Sequence, residues 1–391
     1  MTTSTAPRCC CAACWSVSRA RGEGVDRPAS VRAVVVSDGK RGHENQSRVL
    51  ARMLGDAEPV VLRIRSFGGE PALRLWLAVN GRRGLSQAVA ARVVQRCLAP
   101  EDTAVFRSLA HEYRESRGSM RLITVSSGTA AASFNLVASR LFNAPAVVNM
   151  TPSLLPRRWF DVNVVPEHDL REGAALPPNV LATPLALGYY DEPHARLEAA
   201  DLCRGQGLDP GGNYLALALG GPSASSPWED AFVIECIDRL LQDASRSGVR
   251  CLATTSRRTP RACAAHLAER YAARSELAYL LDAAVDPVNP LPAFYALAQA
   301  VVVSADSFSM VCEAIHAGLH PVVLSTARQE GRGKLARALS KLETSGRITR
   351  ISRPQDVGNW REGAQRRSPP NESYFSLRVQ LLAKLGLDAP S

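Results

Sequence analysis

Four loops of this chain gather residues suited to binding anions or moving protons, and each follows a run of β-branched or apolar residues. The first reads Ser37-Asp38-Gly39-Lys40-Arg41-Gly42-His43-Glu44-Asn45-Gln46. Its two glycines let the backbone turn tightly, and the helix expected after it offers free N–H groups to an anion. His43 is of the residue type most often used to remove a proton from a hydroxyl, with Asp38 as a second candidate base. The same residues would also make a polar turn whose histidine caps the helix. The second loop, Leu219-Gly220-Gly221-Pro222-Ser223, allows close backbone approach to a phosphate. It is not the six-position dinucleotide fingerprint, and a plain entry turn has the same residues.

The third loop, Thr254-Thr255-Ser256-Arg257-Arg258-Thr259-Pro260, joins hydroxyls to an arginine pair. Guanidinium binds phosphate bidentately, and Pro260 suits the first turn of a following helix. An exposed basic loop without a ligand would look alike. The fourth runs from Ser304 to Gly318. Asp306 or Ser307 can cap a helix whose positive end would face an anion. Ser309 and Glu313 lie one turn apart on one face, where a carboxylate could accept both hydroxyls of a ribose. Packing of Met310, Val311, Ala314 and Ile315 on the opposite face is compatible with that role.

The elements that must position these loops alternate between strand and helix. Strand Val31–Ser37 is followed by a helix from about Glu44, with Val49, Leu50, Met53 and Leu54 on one face, and by strand Val60–Ile64. Residues 70–117 read as helices with an arginine-rich connector at Arg82–Arg83. Strand Leu122–Ser126, helix Thr129–Phe142 and strands at Ala146–Asn149, Val162–Val165 and Val180–Leu181 follow. After the proline-rich stretch Pro177–Pro193 the alternation restarts. Strands are expected at Tyr214–Leu219, Arg250–Thr255, Leu277–Leu281, Ala300–Ser304 and Pro321–Leu324. Helices are expected at Trp228–Ala244, Arg261–Ala273, Leu291–Gln299 and Ser307–Ala317, with a closing helix near Tyr374–Leu385. No element is placed between Leu324 and Tyr374.

This grammar predicts an α/β chain of two Rossmann-like doubly wound domains facing a central cleft. The expected division is a tail over 1–30, a first domain over 31–182, a linker over 183–195 and a second domain over 196–370. The final segment, 371–391, would cross back to the first domain. Ligands of open parallel sheets bind beyond the carboxyl ends of strands, which is where all four loops fall.

Composition narrows the classes. With 46% hydrophobic and 21% charged residues over 391 positions, the chain is globular and long enough for two cores. No apolar stretch reaches the roughly 20 residues of a membrane span. The net charge of +10 is carried almost wholly by scattered arginines. Without zinc-finger spacing or an RNA-binding signature, this charge points to a phosphate-bearing substrate or an anionic membrane surface rather than nucleic acid. Cys9, Cys10, Cys11 and Cys14 cluster at the start, whereas Cys97, Cys203, Cys236, Cys251, Cys263 and Cys312 stand alone in apolar segments. The second group reads as free thiols of a reducing, cytoplasmic setting, with a location at the inner membrane face also compatible. Residues 1–30 carry Arg8, Arg19 and Arg21 with no acid before Glu23, a faint likeness to an organelle transit peptide.

Several of these motifs together resemble a known family. Asp38-Gly39-Lys40-x-Gly42-His43-Glu44-Asn45-Gln46, Val165-Pro166-Glu167-His168-Asp169, Gly220–Ser223, Thr254–Pro260 and Asp306-Ser307-x-Ser309-Met310-x-x-Glu313-Ala314 occur in order over about Val31–Leu324. In that order they resemble the mitochondrial-fission "elongated mitochondria" family of proteobacteria and plants. Arg41 stands where the family pattern has proline, and Ala305 where it has an acidic residue.

The resemblance implies a GT-B fold. It also implies transfer of a sugar from a nucleotide-sugar donor to an envelope lipid or glycan, with no metal and no cofactor beyond the donor. It places Glu313 on the nucleotide ribose and Ser307–Ser309 on the phosphates, with Gly220, Gly221, Ser223, Arg257 and Asp306 completing the donor side. His43 and Asp38 would be catalytic, with Gly42, Asn45 and Gln46 on the acceptor side. Two alternatives accompany it: a non-catalytic adaptor that recruits division machinery to a membrane surface, and an epimerase that converts the donor without any acceptor.

Overall fold

A computed structural model describes residues 30–387 apart from 56, 66–68, 82–84, 117, 172, 174, 224–225, 274–275 and 327–332, with only the backbone of Arg41 and Gly69. The Cys9–Cys14 cluster, nearly all of the 1–30 tail and the Arg82–Arg83 connector lie outside the described residues. The chain divides into two compact units. One runs through Val165 and takes in residues 172–182 and the chain from Leu377 onward; the other comprises Pro166–Arg171 and Thr183–Ser376.

The first unit is built on strands β1 (Ser30–Ser37), β2 (Val60–Arg63), β3 (Met120–Ser127), β4 (Ala146–Asn149), β5 (Val162–Pro166) and β6 (Val180–Thr183). Their order in the sheet is β2-β1-β3-β4-β5-β6, and β2 through β5 pair in parallel. Its helices are α1 (Arg41–Arg52), α2 (Gly69–Asn80), α3 (Gln87–Cys97), α4 (Thr103–Glu115) and α5 (Thr129–Phe142). Residues 70–117 thus resolve into three helices, and Ser86 caps α3 by accepting the Val89 N–H at 3.3 Å. Helix α1 begins at Arg41, three residues before Glu44, so Gly42 and His43 belong to its first turn rather than to a preceding loop.

The sheet order reverses direction between β1 and β3. That is the topological switch point of a doubly wound sheet, where a crevice opens beyond the strand ends. Val34 and Val36 of β1 pack in one core with Phe134 and Val137 of α5 and Phe106 and Leu109 of α4.

The second unit contains α6 (Glu192–Gln206), β7 (Tyr214–Ala218), α7 (Asp230–Arg246), β8 (Arg250–Thr254), α8 (Arg261–Ala272), β9 (Leu277–Leu281), α9 (Leu291–Leu297) and β10 (Ala298–Ser304). It continues with α10 (Phe308–His316), β11 (Val322–Leu324), α11 (Lys334–Thr344), β12 (Thr349–Ile351) and α12 (Trp360–Gln365). The closing helix α13 (Glu372–Leu385) starts in this unit and ends in the first, where the Arg378 guanidinium donates to the Met53 carbonyl at 3.2 Å. The sheet order is β12-β11-β10-β7-β8-β9, with every pair parallel. Counted from β7 as the first strand, this is 3-2-1-4-5-6 read from the β9 edge, the order of dinucleotide-binding sheets, with the switch point between β7 and β10.

Strand β7 shows why helices cover both faces of this sheet. Tyr214, Ala216 and Ala218 pack into one core, while Leu215, Leu217 and the following Leu219 pack into another. The period-2 alternation of a strand buries apolar residues on each side, as a parallel sheet requires.

Two Rossmann-like, doubly wound domains are therefore present. Helices α6, α11 and α12 and strand β12 come in addition to the elements expected from sequence. Strand β12 has only three residues, too few for a periodic signal, and is fixed by its pairing with β11. Among the described residues, Cys97, Cys203, Cys236, Cys251, Cys263 and Cys312 are free and buried. No described helix is long and apolar enough to cross a membrane.

Candidate functional site

In the first unit the loop after β1 and the start of α1 bring together a carboxylate, an imidazole and a glycine from a distant strand end. Asp38 Oδ2 lies 3.0 Å from His43 Nδ1, and the Asp38 side chain is only 6% exposed against 28% for His43. A carboxylate can only accept, so Nδ1 carries the proton in this contact, and in the neutral ring Nε2 is then the acceptor nitrogen. The backbone around the pair is tightly tied. The Lys40 N–H donates to Asp38 Oδ1 at 3.2 Å, and the Gly39 N–H donates to Ser37 Oγ at 3.1 Å.

Beneath the pair, Glu44 accepts from Ser37, Arg48 and Arg63. Burial opposes its charge, but these three donors hold its carboxyl below the ordinary value. The imidazole is boxed in from the far side of the switch point. Gly128 follows β3 with φ +80°, and a Cβ built on it would sit 2.5 Å from His43 Cε1 and 2.7 Å from Nδ1. Ser47 Oγ bridges the His43 carbonyl and Ser127 Oγ, and Asn149 at the end of β4 donates to Gln46 at 3.0 Å. Of the residues expected on this side, Asp38, His43 and Gln46 thus join one network, while Gly42 and Asn45 lie exposed on the first turn of α1. Ser127, Gly128 and Asn149 were not read as site residues. Their signal was present as a strand–glycine–helix junction at Ser127-Gly128-Thr129.

In the second unit the loops after β7, β8 and β10 meet at its switch point. Asp306 is the hub, with a fully buried side chain whose Oδ2 accepts from the Gly221 N–H at 2.8 Å and from Arg258 Nη2 at 3.2 Å. Burial pushes its carboxyl up, against the pull of the Gly221 N–H, Ser304 and Arg258. The two glycines are demanded by these contacts. A Cβ at Gly220 would lie 2.1 Å from Asp306 Oδ2, and one at Gly221 would lie 2.0 Å from the Arg258 carbonyl oxygen. Arg258 also donates to the Gly221 carbonyl at 2.9 Å, and Thr259 Oγ1 donates to the Leu219 carbonyl at 3.2 Å. Gly220 donates its N–H to Ser304 Oγ at 2.7 Å.

The roles within this cluster are divided. Buried Asp306 and half-exposed Arg258 brace the loops through their mutual contact, and Arg257, Ser223 and Ser309 are exposed beside them. Ser307 precedes α10 as its N-cap residue and makes no side-chain cap bond. Glu313 shares the exposed face of α10 with Ser309, while Val311, Cys312, Ala314 and Ile315 are buried. Desolvation by the surrounding protein pushes the Glu313 carboxyl up to about 7. The arrangement offers a helix terminus, exposed hydroxyls and one carboxylate, a set suited to a nucleoside diphosphate. No group of three or more His, Cys, Asp or Glu among the described residues could hold a metal ion.

One further motif reaches the second cluster from outside its three loops. Glu167-His168-Asp169 forms a 3-10 turn in the second unit, with Asp169 paired to Lys334 at 2.7 Å and His168 edge-on to Phe308 at 5.4 Å.

A family model described as "Mitochondrial fission ELM1" matches residues 41–369. No curated protein matches the chain. Among solved structures, the UDP-GlcNAc 2-epimerase of Methanocaldococcus jannaschii is similar at 11% identity over 90% of this chain and 99% of that one, with a TM-score of 0.49. The ADP-heptose LPS heptosyltransferase II of E. coli is similar at 13% identity over 90% and 99% of the two chains, with a TM-score of 0.42. MurG of Acinetobacter baumannii is similar at 13% identity over 90% and 95%, with a TM-score of 0.39.

Proposed function

The chain belongs to the mitochondrial fission ELM1 family, and from that premise and the geometry of its loops we propose that it is a metal-independent glycosyltransferase using a nucleotide-sugar donor. The observation that carries the reading is the Asp38–His43 pair at the switch point of the first sheet. Asp38 fixes the imidazole with Nε2 as base. His43 takes the proton of an acceptor hydroxyl as its oxygen bonds to the anomeric carbon and the bond from that carbon to the diphosphate breaks. The nucleoside diphosphate leaves with the bonding electron pair. In the second unit, Gly220, Gly221 and Ser223, exposed Arg257, and Ser307 and Ser309 at the start of α10 would hold the diphosphate, with Glu313 accepting from the ribose hydroxyls. Asp306 acts behind them, keeping the glycine loop in place. Gly42, Asn45 and Gln46 would line the acceptor side, and an envelope lipid or glycan is the acceptor class we favour.

Purified protein assayed for turnover of a panel of nucleotide sugars tests this. His43→Ala should lower turnover by about 10²–10⁴-fold while leaving donor binding intact. Glu313→Ala should weaken binding. The proposal is wrong if no nucleotide sugar raises the unfolding temperature of the folded protein and neither substitution has any effect. A second reading is an adaptor that recruits division machinery to a membrane; the family's description names mitochondrial fission and no reaction. It predicts that His43→Ala and Glu313→Ala preserve function in cells.

A further inference from the structure

Helix α2 carries apolar residues on two sides. Leu77 is fully buried toward the first unit's core, and Glu70 at the helix start accepts from Ser133 of α5 at 3.4 Å, which fixes the inward face. The other side presents Ala72, Leu75, Trp76 and Val79, a stripe at i, i+3, i+4 and i+7. Leu75 is 60% exposed, Trp76 37% and Val79 76%, so the stripe is open to solvent along its length. An isolated exposed leucine would need no explanation, but a tryptophan among aliphatic residues on one helical face does.

At the C-terminal end of the same helix a polar groove of about 960 Å³ begins, lined by Asn80, Gly81, Arg140, Asn143, Arg158 and Trp159 among others. Asp161, a carboxylate in its lining, accepts the Ala146 N–H at 2.7 Å. Arg140 uses its Nε on the Leu85 carbonyl at 2.8 Å, and both Arg140 and Arg158 are exposed. The stripe and the groove are continuous, since Asn80 and Gly81 end one and open the other.

We propose that this face of the first unit docks on an anionic lipid bilayer. Leu75, Trp76 and Val79 enter the interface, and Arg140 and Arg158 meet lipid phosphates beside them. Apolar side chains and tryptophan on one face, with arginines at their edge, are the make-up of an in-plane interfacial helix. A second protein would call for a polar rim with paired charges, whereas this edge is cationic and the whole chain carries +10. The inference goes beyond the proposed transfer reaction and does not depend on it.

Flotation of the full chain with phosphatidylglycerol–phosphatidylcholine vesicles, against phosphatidylcholine alone, tests it. The protein should float with the anionic vesicles and dissociate as salt rises. Trp76→Asp with Val79→Asp should lower partitioning at least about ten-fold, and Arg158→Ala on the order of five-fold, each arginine near the surface adding an increment of that size. Val79 and Arg158 are exposed, so Val79→Asp and Arg158→Ala should leave the thermal midpoint in place, whereas Trp76 is only 37% exposed and its replacement should lower it. Should the double variant lose fold, Trp76→Ser alone gives the same reading. The proposal fails if wild type ignores anionic vesicles or if the variants partition like wild type. It also fails if wild type is a dimer that the Trp76 and Val79 substitutions dissociate, which would make a second copy the occupant.

Discussion

Gly128→Ala isolates the contact that most directly links backbone geometry to the proposed chemistry. Gly128 has φ +80° and ψ 165°, a region open almost only to glycine, so alanine there costs about 1–3 kcal/mol in backbone strain. The new Cβ would stand 2.5 Å from His43 Cε1, far inside van der Waals contact. The imidazole is 28% exposed and is the end of a side chain, so it can swing away. Doing so ends its 3.0 Å contact with Asp38. Stability should therefore fall by little more than the backbone cost, while turnover, which depends on the position of Nε2, falls by roughly 100-fold.

Urea unfolding and steady-state turnover on the same preparations measure the two losses. A His43→Ala background separates them, because without the imidazole the clash disappears and only the backbone cost remains. Full activity in Gly128→Ala, or an equal further loss of turnover when the substitution is made on His43→Ala, would mean that Gly128 does not set the position of the imidazole.

Other outcomes follow from the second unit and its charges. Gly221→Ala meets the Arg258 backbone oxygen at 2.0 Å, which cannot rotate aside, so it should destabilise by at least about 1–3 kcal/mol and abolish donor binding, as read by calorimetry. Asp306→Ala strips the Gly221 N–H and Arg258 of their partner and should cost about 1–3 kcal/mol, with Arg258 regaining water because it is half exposed. The Glu313 carboxyl is raised in the fold, so its contribution to stability is fully present below the ordinary 4.5 and is lost as pH rises through about 7. Donor affinity should run the other way, strengthening through that window as the carboxylate forms, and Glu313→Gln should flatten both profiles. Glu44 has the opposite sign: its lowered carboxyl stabilises above 4.5 and that contribution is lost as pH falls through the folded value, an acid limb that Glu44→Gln should remove from the unfolding curve.

Local patterning along the chain is enough to give the alternation of strands and helices, and hence α/β sheets with loops at the carboxyl ends of their strands. Period-2 runs such as Tyr214–Leu219 and helical spacings such as Val49, Leu50 and Met53 are local signals, carried by neighbours along the chain. The ordered motifs around His43, Gly220 and Asp306 were legible for the same reason. Tertiary structure alone decided which residues face one another, because many strand orders share one local signature. Only the β1–β3 adjacency sets Gly128 against His43, and only the β7–β10 adjacency sets Gly220 against Asp306. The fold likewise brings Arg258, from the loop after β8, onto Asp306. Contacts across 85 residues depend on how crossovers thread the sheet, and a helix or strand propensity holds no information about that path.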